Sequence, residues 1–182
     1  MLIPMLSNLP SYEEKKFCVL MTHRLTGDRA QLIRFFETKP FEEFDCYGFN
    51  PILNTDRYKG QIPGHPTSHH KLDILKNYRF CICFENDLLN GYISEKIFSA
   101  FAAGCVPIYL GASNITQYIP TNCFIDRRDF DTDNELCLFL SNLTEDDYNL
   151  YISNIKAFLK TKEAKMFSME EFTKVFTKAV EN

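Results

Sequence analysis

Tryptophan is absent from the 182 residues, and the aromatic bulk falls to 17 Phe and 9 Tyr, so a phenylalanine-rich core is expected. A basic excess is also missing: 20 Lys and Arg face 24 Asp and Glu, for a net charge of -4. A general nucleic-acid binder would normally be basic, so that class is set aside, although a local basic pocket for a phosphate stays open. No run approaches the ~18 apolar residues that a membrane-spanning helix needs, so no transmembrane segment is expected. Met1 to Pro10 is apolar but has neither a basic leader nor a cleavage site, so no signal peptide is expected there. The seven Cys include no C-x-x-C pair, which argues against a zinc or redox motif. Cys81, Cys83 and Cys105 lie inside apolar runs and read as small core hydrophobes. Reduced thiols fit this pattern better than a disulfide framework. There is no internal repeat, no low-complexity segment, no G-x-G-x-x-G and no Walker pattern.

What is present is ordinary globular composition, 45% hydrophobic and 24% charged, in a chain long enough for one domain with its own core. Residues 1–15, with Pro4 and Pro10, read as a lead-in or interdomain linker. Phe17 to Thr22, Phe80 to Phe84 and Val106 to Leu110 are short continuous apolar runs, the mark of buried strands. Phe44 to Tyr47 and Phe124–Ile125 read as two further, shorter strands. Pro107 lacks an N–H for the ladder, so its strand should begin near it or lie at an edge. Helices are expected between the strands. One is capped by Asp28 and runs to about Thr38, with Ala30, Ile33 and Phe36 inward; another spans Ser68 to Lys76. A third is capped by Ser94 and ended by Gly104. Residues 48–66 hold six Gly and Pro and read as a long irregular loop. From about Asp133 the chain reads as helical to its end, including Met166 to Val180.

Apolar strands alternating with helices indicate an α/β fold: a Rossmann-like parallel sheet with helices on both faces. Such sheets bind ligands outside the carboxyl ends of their strands, so the turns after Thr22, Phe84 and Leu110 come into view. The turn after Phe84 is the richest, running from Glu85 and Asn86 through Tyr92 to Ser94, Glu95 and Lys96. Lys96 falls in the first turn of a helix, where a cation opposes the macrodipole at roughly 0.3–1 kcal/mol. A phosphate bound there would reverse the sign, since ammonium and free backbone N–H groups both attract it. Glu95, about 100° further round the helix, could accept hydrogen bonds from a ribose diol. Solvated surface charge explains the pair equally well from spacing alone.

The blocks Tyr78–Asn86, Tyr92–Ile97, Ala103–Gly111, Tyr118–Pro120 and Phe124–Phe130 resemble, in order and with near-right gaps, glycosyltransferase family ten, the alpha-1,3-fucosyltransferases. The resemblance implies the C-terminal half of a two-domain GT-B enzyme. Residues 16–142 would form the GDP-fucose domain, and residues 143–182 would be C-terminal helices packing on it or on a partner. It implies donor contacts from Asn86, Tyr92, Glu95 and Lys96, with Arg29 (or Arg24) neutralising the pyrophosphate. Arg suits that role because its planar fork binds phosphate bidentately. Fucose would pass to a sugar acceptor hydroxyl in a single inverting displacement, with GDP leaving and no cofactor or metal required. The general base would come from an N-terminal acceptor domain, for which this chain has no counterpart. The alternative is a non-catalytic GDP-sugar-binding module that needs a separate acceptor-domain chain. The cytoplasm, peripheral to a membrane, is the expected location, or the Golgi lumen if an anchor lies outside this sequence.

Other candidates are weaker. His65, His69 and His70 have only Asp73 nearby to complete a metal set. Asp131-Thr132-Asp133 is a D-x-D, which helix capping explains better than metal binding. Asn114-Ile115-Thr116 and Asn142-Leu143-Thr144 match the glycosylation sequon, a frequent chance match.

Overall fold

The computed structural model describes residues 5–23, 27–38, 43–48, 56–62, 70–168 and 170–171. Five parallel strands form its sheet: β1 (Lys16–Thr22), β2 (Phe44–Gly48), β3 (Tyr78–Phe84), β4 (Val106–Leu110) and β5 (Ile125–Asp126). Their spatial order is β2-β1-β3-β4-β5. Because β1 and β3 are buried on both faces, their runs are continuous rather than alternating. The strand order reverses direction between β1 and β3, with Leu20 paired to Ile82. Crevices for ligands form at such a switch point, outside the carboxyl ends of the strands.

Helices α1 (Asp28–Glu37), α2 (His70–Leu75) and α3 (Glu95–Ala102) connect the strands. With this strand order, right-handed crossovers would place α1 on one face and α2 and α3 on the other, and α2 and α3 do touch. Then follow α4 (Asp133–Asn142), α5 (Glu145–Phe158) and the short α6 (Lys162–Lys165). The core is phenylalanine-rich, as composition implied. Phe36 stacks on Phe44 with centroids 4.3 Å apart, and Phe80, Phe98 and Phe101 are fully buried. All seven Cys are buried and none is in a disulfide.

Several expectations change in detail. Asp28 is the first helical residue rather than the cap; Gly27, at φ 48°, stands at the cap position with no side-chain hydrogen bond. Leu32 and Arg29 are buried with Ile33 and Phe36, whereas Ala30 is half-buried. Pro107 is the second residue of β4, so the strand begins near it as expected, although β4 lies between two neighbours. The proline is tolerated because β5 pairs only with Ile108 and Tyr109, so no ladder bond falls to Pro107 on that side. From Asp133 the described chain is helical as expected, in three pieces. Leu143 leaves helical geometry after α4, and Thr144 opens α5 with a reciprocal capping box to Asp147. Of Met166 to Val180, residue 169 and residues 172–180 lie outside the described residues, as do Arg24, His65 and His69. In the described part of the loop before α2, Tyr58 bridges Cys46 and its hydroxyl donates to the Gly48 carbonyl at 2.6 Å.

The lead-in packs on the domain. Leu6 N–H donates to the Ala102 carbonyl at 2.8 Å. The buried Lys15 ammonium donates to the carbonyls of Lys76, Tyr78 and Gly104, and burial lowers its pKa. Helix α5 is tied down at the same edge, where the Tyr148 hydroxyl donates to the Gly104 carbonyl at 2.6 Å. Among the described residues, no helix is long and apolar enough to cross a membrane.

Candidate functional site

The carboxyl edge of the sheet carries the site. Strand β3 ends at Phe84, and the chain turns through 85–94 into α3. Glu85 follows the strand directly, and its N–H donates to the Leu110 carbonyl at 2.7 Å, so its backbone is pinned to the end of β4. Its carboxylate points under the start of α3 and its side chain has no solvent exposure. One oxygen accepts from Ser94 N–H at 2.7 Å, and the other from the Ser94 hydroxyl and the Lys96 ammonium, each at 2.7 Å. Ser94 is the N-cap of α3 as expected, accepting from Lys96 N–H. Lys96 Nζ also donates to Ser94 Oγ at 3.0 Å, and its side chain keeps 20% exposure.

This arrangement alters one inference. The Lys96 cation that opposed the helix dipole already has an anion beside it, the protein's own Glu85. Its placement is therefore accounted for without a ligand, and the dipole argument alone does not demand a phosphate. Two of the three ammonium protons are used, and the third bonds no described residue.

Neighbouring Glu95 turns the other way. Its side chain is 59% exposed, and Lys71 of α2 approaches to 3.7 Å. Partial burial works to raise the Glu95 carboxyl, but Lys71, its own backbone N–H and Lys96 outweigh that and hold it below the ordinary value. Tyr92 is exposed, its N–H closing a turn on the Leu89 carbonyl at 3.1 Å. The loop carrying it is tethered by Gly91 N–H donating to Asn114 Oδ1 at 2.8 Å.

Arg29 reaches the same edge from α1. It is buried, and its Nη2 donates to the Phe84 carbonyl at 2.6 Å and to Asn86 Oδ1 at 2.9 Å. A cleft of about 140 Å³ opens here between Gly27, Arg29, Glu85, Asn86 and Leu110. A larger hollow of about 250 Å³ adjoins it, sharing Asp28, Phe84 and Leu110 and adding Arg127 and Arg128. Arg127 pairs with Asp133 at 2.8 Å, and Arg128 forks onto Asp126 at 2.8 and 2.6 Å. Arg29 and Asn86 thus share one cleft. Tyr92, Glu95 and Lys96 stand beside it on the α3 side and line neither hollow. The D-x-D is structural here: Thr132 caps α4 and Asp133 holds Arg127. Among the described residues, no group of three or more His, Cys, Asp or Glu is placed to hold a metal.

Glu85 was not anticipated. The available signal was the unexplained lysine itself: a cation in a helix's first turn needs an anion, and Glu85, adjoining the strand end, was one of three carboxylates on that turn, with Asp87 and Glu95. Gly111, which follows β4, makes room by its missing side chain. A Cβ there would run into the Tyr109 ring and meet Glu85 Cγ at 2.7 Å.

A parallel sheet with a switch point and a polar cleft at its carboxyl edge defines a Rossmann-like α/β domain with a nucleotide-type site. Residues 18–179 match the model described as "Glycosyltransferase family 10 (fucosyltransferase) C-term", and the chain belongs to that family. It is 40% identical over 154 residues to mouse 4-galactosyl-N-acetylglucosaminide 3-alpha-L-fucosyltransferase 9, covering 82% of this chain and 38% of that protein. Over 72 residues it is 36% identical to an Arabidopsis thaliana alpha-(1,4)-fucosyltransferase, covering 40% of this chain and 18% of that one. The chain therefore spans well under half the length of these relatives. Among solved structures, an alpha1,3-fucosyltransferase with GDP-fucose superposes at a TM-score of 0.61 and 18% identity, covering 82% of this chain and 48% of that one. An alpha1,3-fucosyltransferase with GDP gives 0.58 at 22% identity, covering 78% and 38%.

Proposed function

We propose that this chain is the donor half of an inverting fucosyltransferase, binding GDP-fucose at the carboxyl edge of its sheet for transfer to a sugar acceptor hydroxyl. The observation that carries the reading is Lys96, held at the mouth of α3 with one ammonium proton to spare, beside a cleft bearing Arg29 and Asn86. Family membership supports the choice of donor, since the curated relatives are named fucosyltransferases and a solved structural neighbour holds GDP-fucose.

The roles follow from chemistry. Lys96, and Arg29 once its Asn86 contact is exchanged, would neutralise the diphosphate. Negative charge grows there as the bond from fucose to phosphate breaks, and fixed cations stabilise that charge most in the transition state. Glu95, held ionised and exposed, would accept from the ribose diol, and Tyr92 and Asn86 would flank the donor. The general base for the acceptor hydroxyl would come from an acceptor domain on the other side of the cleft, as the family resemblance implies. No cofactor or metal is assigned a part. The residue span 16–142 would be the donor domain, with 143–182 packing against it.

Calorimetric titration with GDP and then UDP tests this. GDP should bind, and UDP should bind at least roughly tenfold more weakly, a gap of ~1.4 kcal/mol. Failure of GDP to bind, or equal affinity for UDP, would overturn the reading.

A further inference from the structure

Resting on that reading, we propose that Glu85 is the positioning residue of the site: it sets Lys96 for the donor's diphosphate without touching the donor itself. The Glu85 side chain has no solvent exposure, so a ligand in the cleft does not reach its carboxylate. Both oxygens are filled by protein donors, one by Ser94 N–H and the other by Ser94 Oγ–H and Lys96 Nζ. Its own backbone is anchored on β4, and the bare Gly111 lets the Glu85 stem pass. It is therefore fixed from the sheet side before any ligand arrives.

A lysine ammonium on a free four-carbon stem visits many rotamers, and a ligand that captures it must pay that ordering cost. Here Glu85 and Ser94 together hold the ammonium, so the cost is met in the unliganded protein. One N–H stays unused by any described residue. Preorganisation of this kind raises affinity without adding a contact. Ser94 completes the device, since the hydroxyl that caps α3 also links the carboxylate to the ammonium. Helix start and cation are thus set by one buried group.

The test is a coupling measurement on the 182-residue chain, reading GDP affinity by calorimetry for the unmodified protein, Glu85→Gln, Lys96→Met and the double variant. Glu85→Gln should weaken GDP about tenfold, the factor equivalent to ~1.4 kcal/mol. On the Lys96→Met background the same change should matter less than about threefold, because residues that act as a unit are not additive. Glu85→Asp keeps the charge but draws it back by one methylene, and should give an intermediate loss of GDP affinity. Equal losses on both backgrounds would show a merely structural role and overturn the proposal. Unchanged or tighter binding by Glu85→Gln would make Glu85 a competitor for the ammonium and overturn it as well. No GDP binding by the unmodified chain would instead remove the nucleotide reading on which the proposal stands.

Discussion

Replacing Lys96 by methionine tests the buried ion pair directly. Methionine keeps most of the stem's length and apolar bulk and removes the charge. Glu85 would keep its bonds from Ser94 N–H and Oγ–H and lose the ammonium at 2.7 Å. Removing one partner of a buried pair costs about 3–5 kcal/mol because the other charge is stranded. Here the stranding is partial. Lys96 keeps 20% exposure, so solvent can follow it in, and two of the three donors on Glu85 remain. About half the usual cost is expected, ~2 kcal/mol, within the range for a single hydrogen bond to a charged group. For a chain of this length that corresponds to a fall in Tm of about 4–8 °C. Adding Glu85→Gln should recover about 1 kcal/mol, since the stranded charge is then gone. Urea denaturation reads both, as midpoint shifts at constant slope. A loss below about 0.5 kcal/mol for Lys96→Met, typical of an unremarkable surface position, would show that Glu85 does not depend on the lysine, and the reasoning would fail.

Gly111→Ala should cost about 1–3 kcal/mol, the usual penalty of overpacking, because the new methyl meets the buried Tyr109 ring and Glu85 Cγ; an unchanged urea midpoint would refute the close approach. Asp45 supplies the pH prediction. Burial works to raise its carboxyl, but the Tyr78 hydroxyl at 2.6 Å, Lys16 at 2.9 Å and Lys59 at 3.4 Å outweigh that and hold it below the ordinary value. A depressed carboxylate adds stability above its unfolded value of about 4, and that contribution fades as pH falls through the lower folded value. Asp45→Asn should therefore destabilise at pH 7 and flatten the decline that the parent shows as pH falls below about 4; parallel urea midpoints of variant and parent on that acid side would contradict it.

Much of this was legible in the primary structure. The all-apolar runs that became β1, β3 and β4 need no tertiary information, because a strand buried on both faces has no polar side to show. Ser94 as the cap of α3 and Gly104 past its end, at φ 63°, are local chemistry read locally. The family was legible for a different reason: its blocks combine turn glycines, strand ends and a helix start in a fixed order along one segment. Asp28 was misassigned as a cap because a glycine can occupy that position with no side chain to announce it. The helical character from Asp133 onward was legible from the apolar spacing, but the break at Leu143–Thr144 was not, because Thr144 resembles any polar residue until its bond to Asp147 is seen.

Composition and order along the chain thus determined the layers, the parallel strands and the edge at which a ligand would sit, since these follow from hydrophobic period and local turn chemistry. Which charges meet at that edge was decided only by folding. Glu85 and Lys96 lie eleven residues apart, and Arg29 lies 57 from Asn86. Bringing them together requires a strand end, a helix mouth and a crossover to converge. Electrostatic partnership depends on distance in space and on burial, and neither is a property of position along a chain.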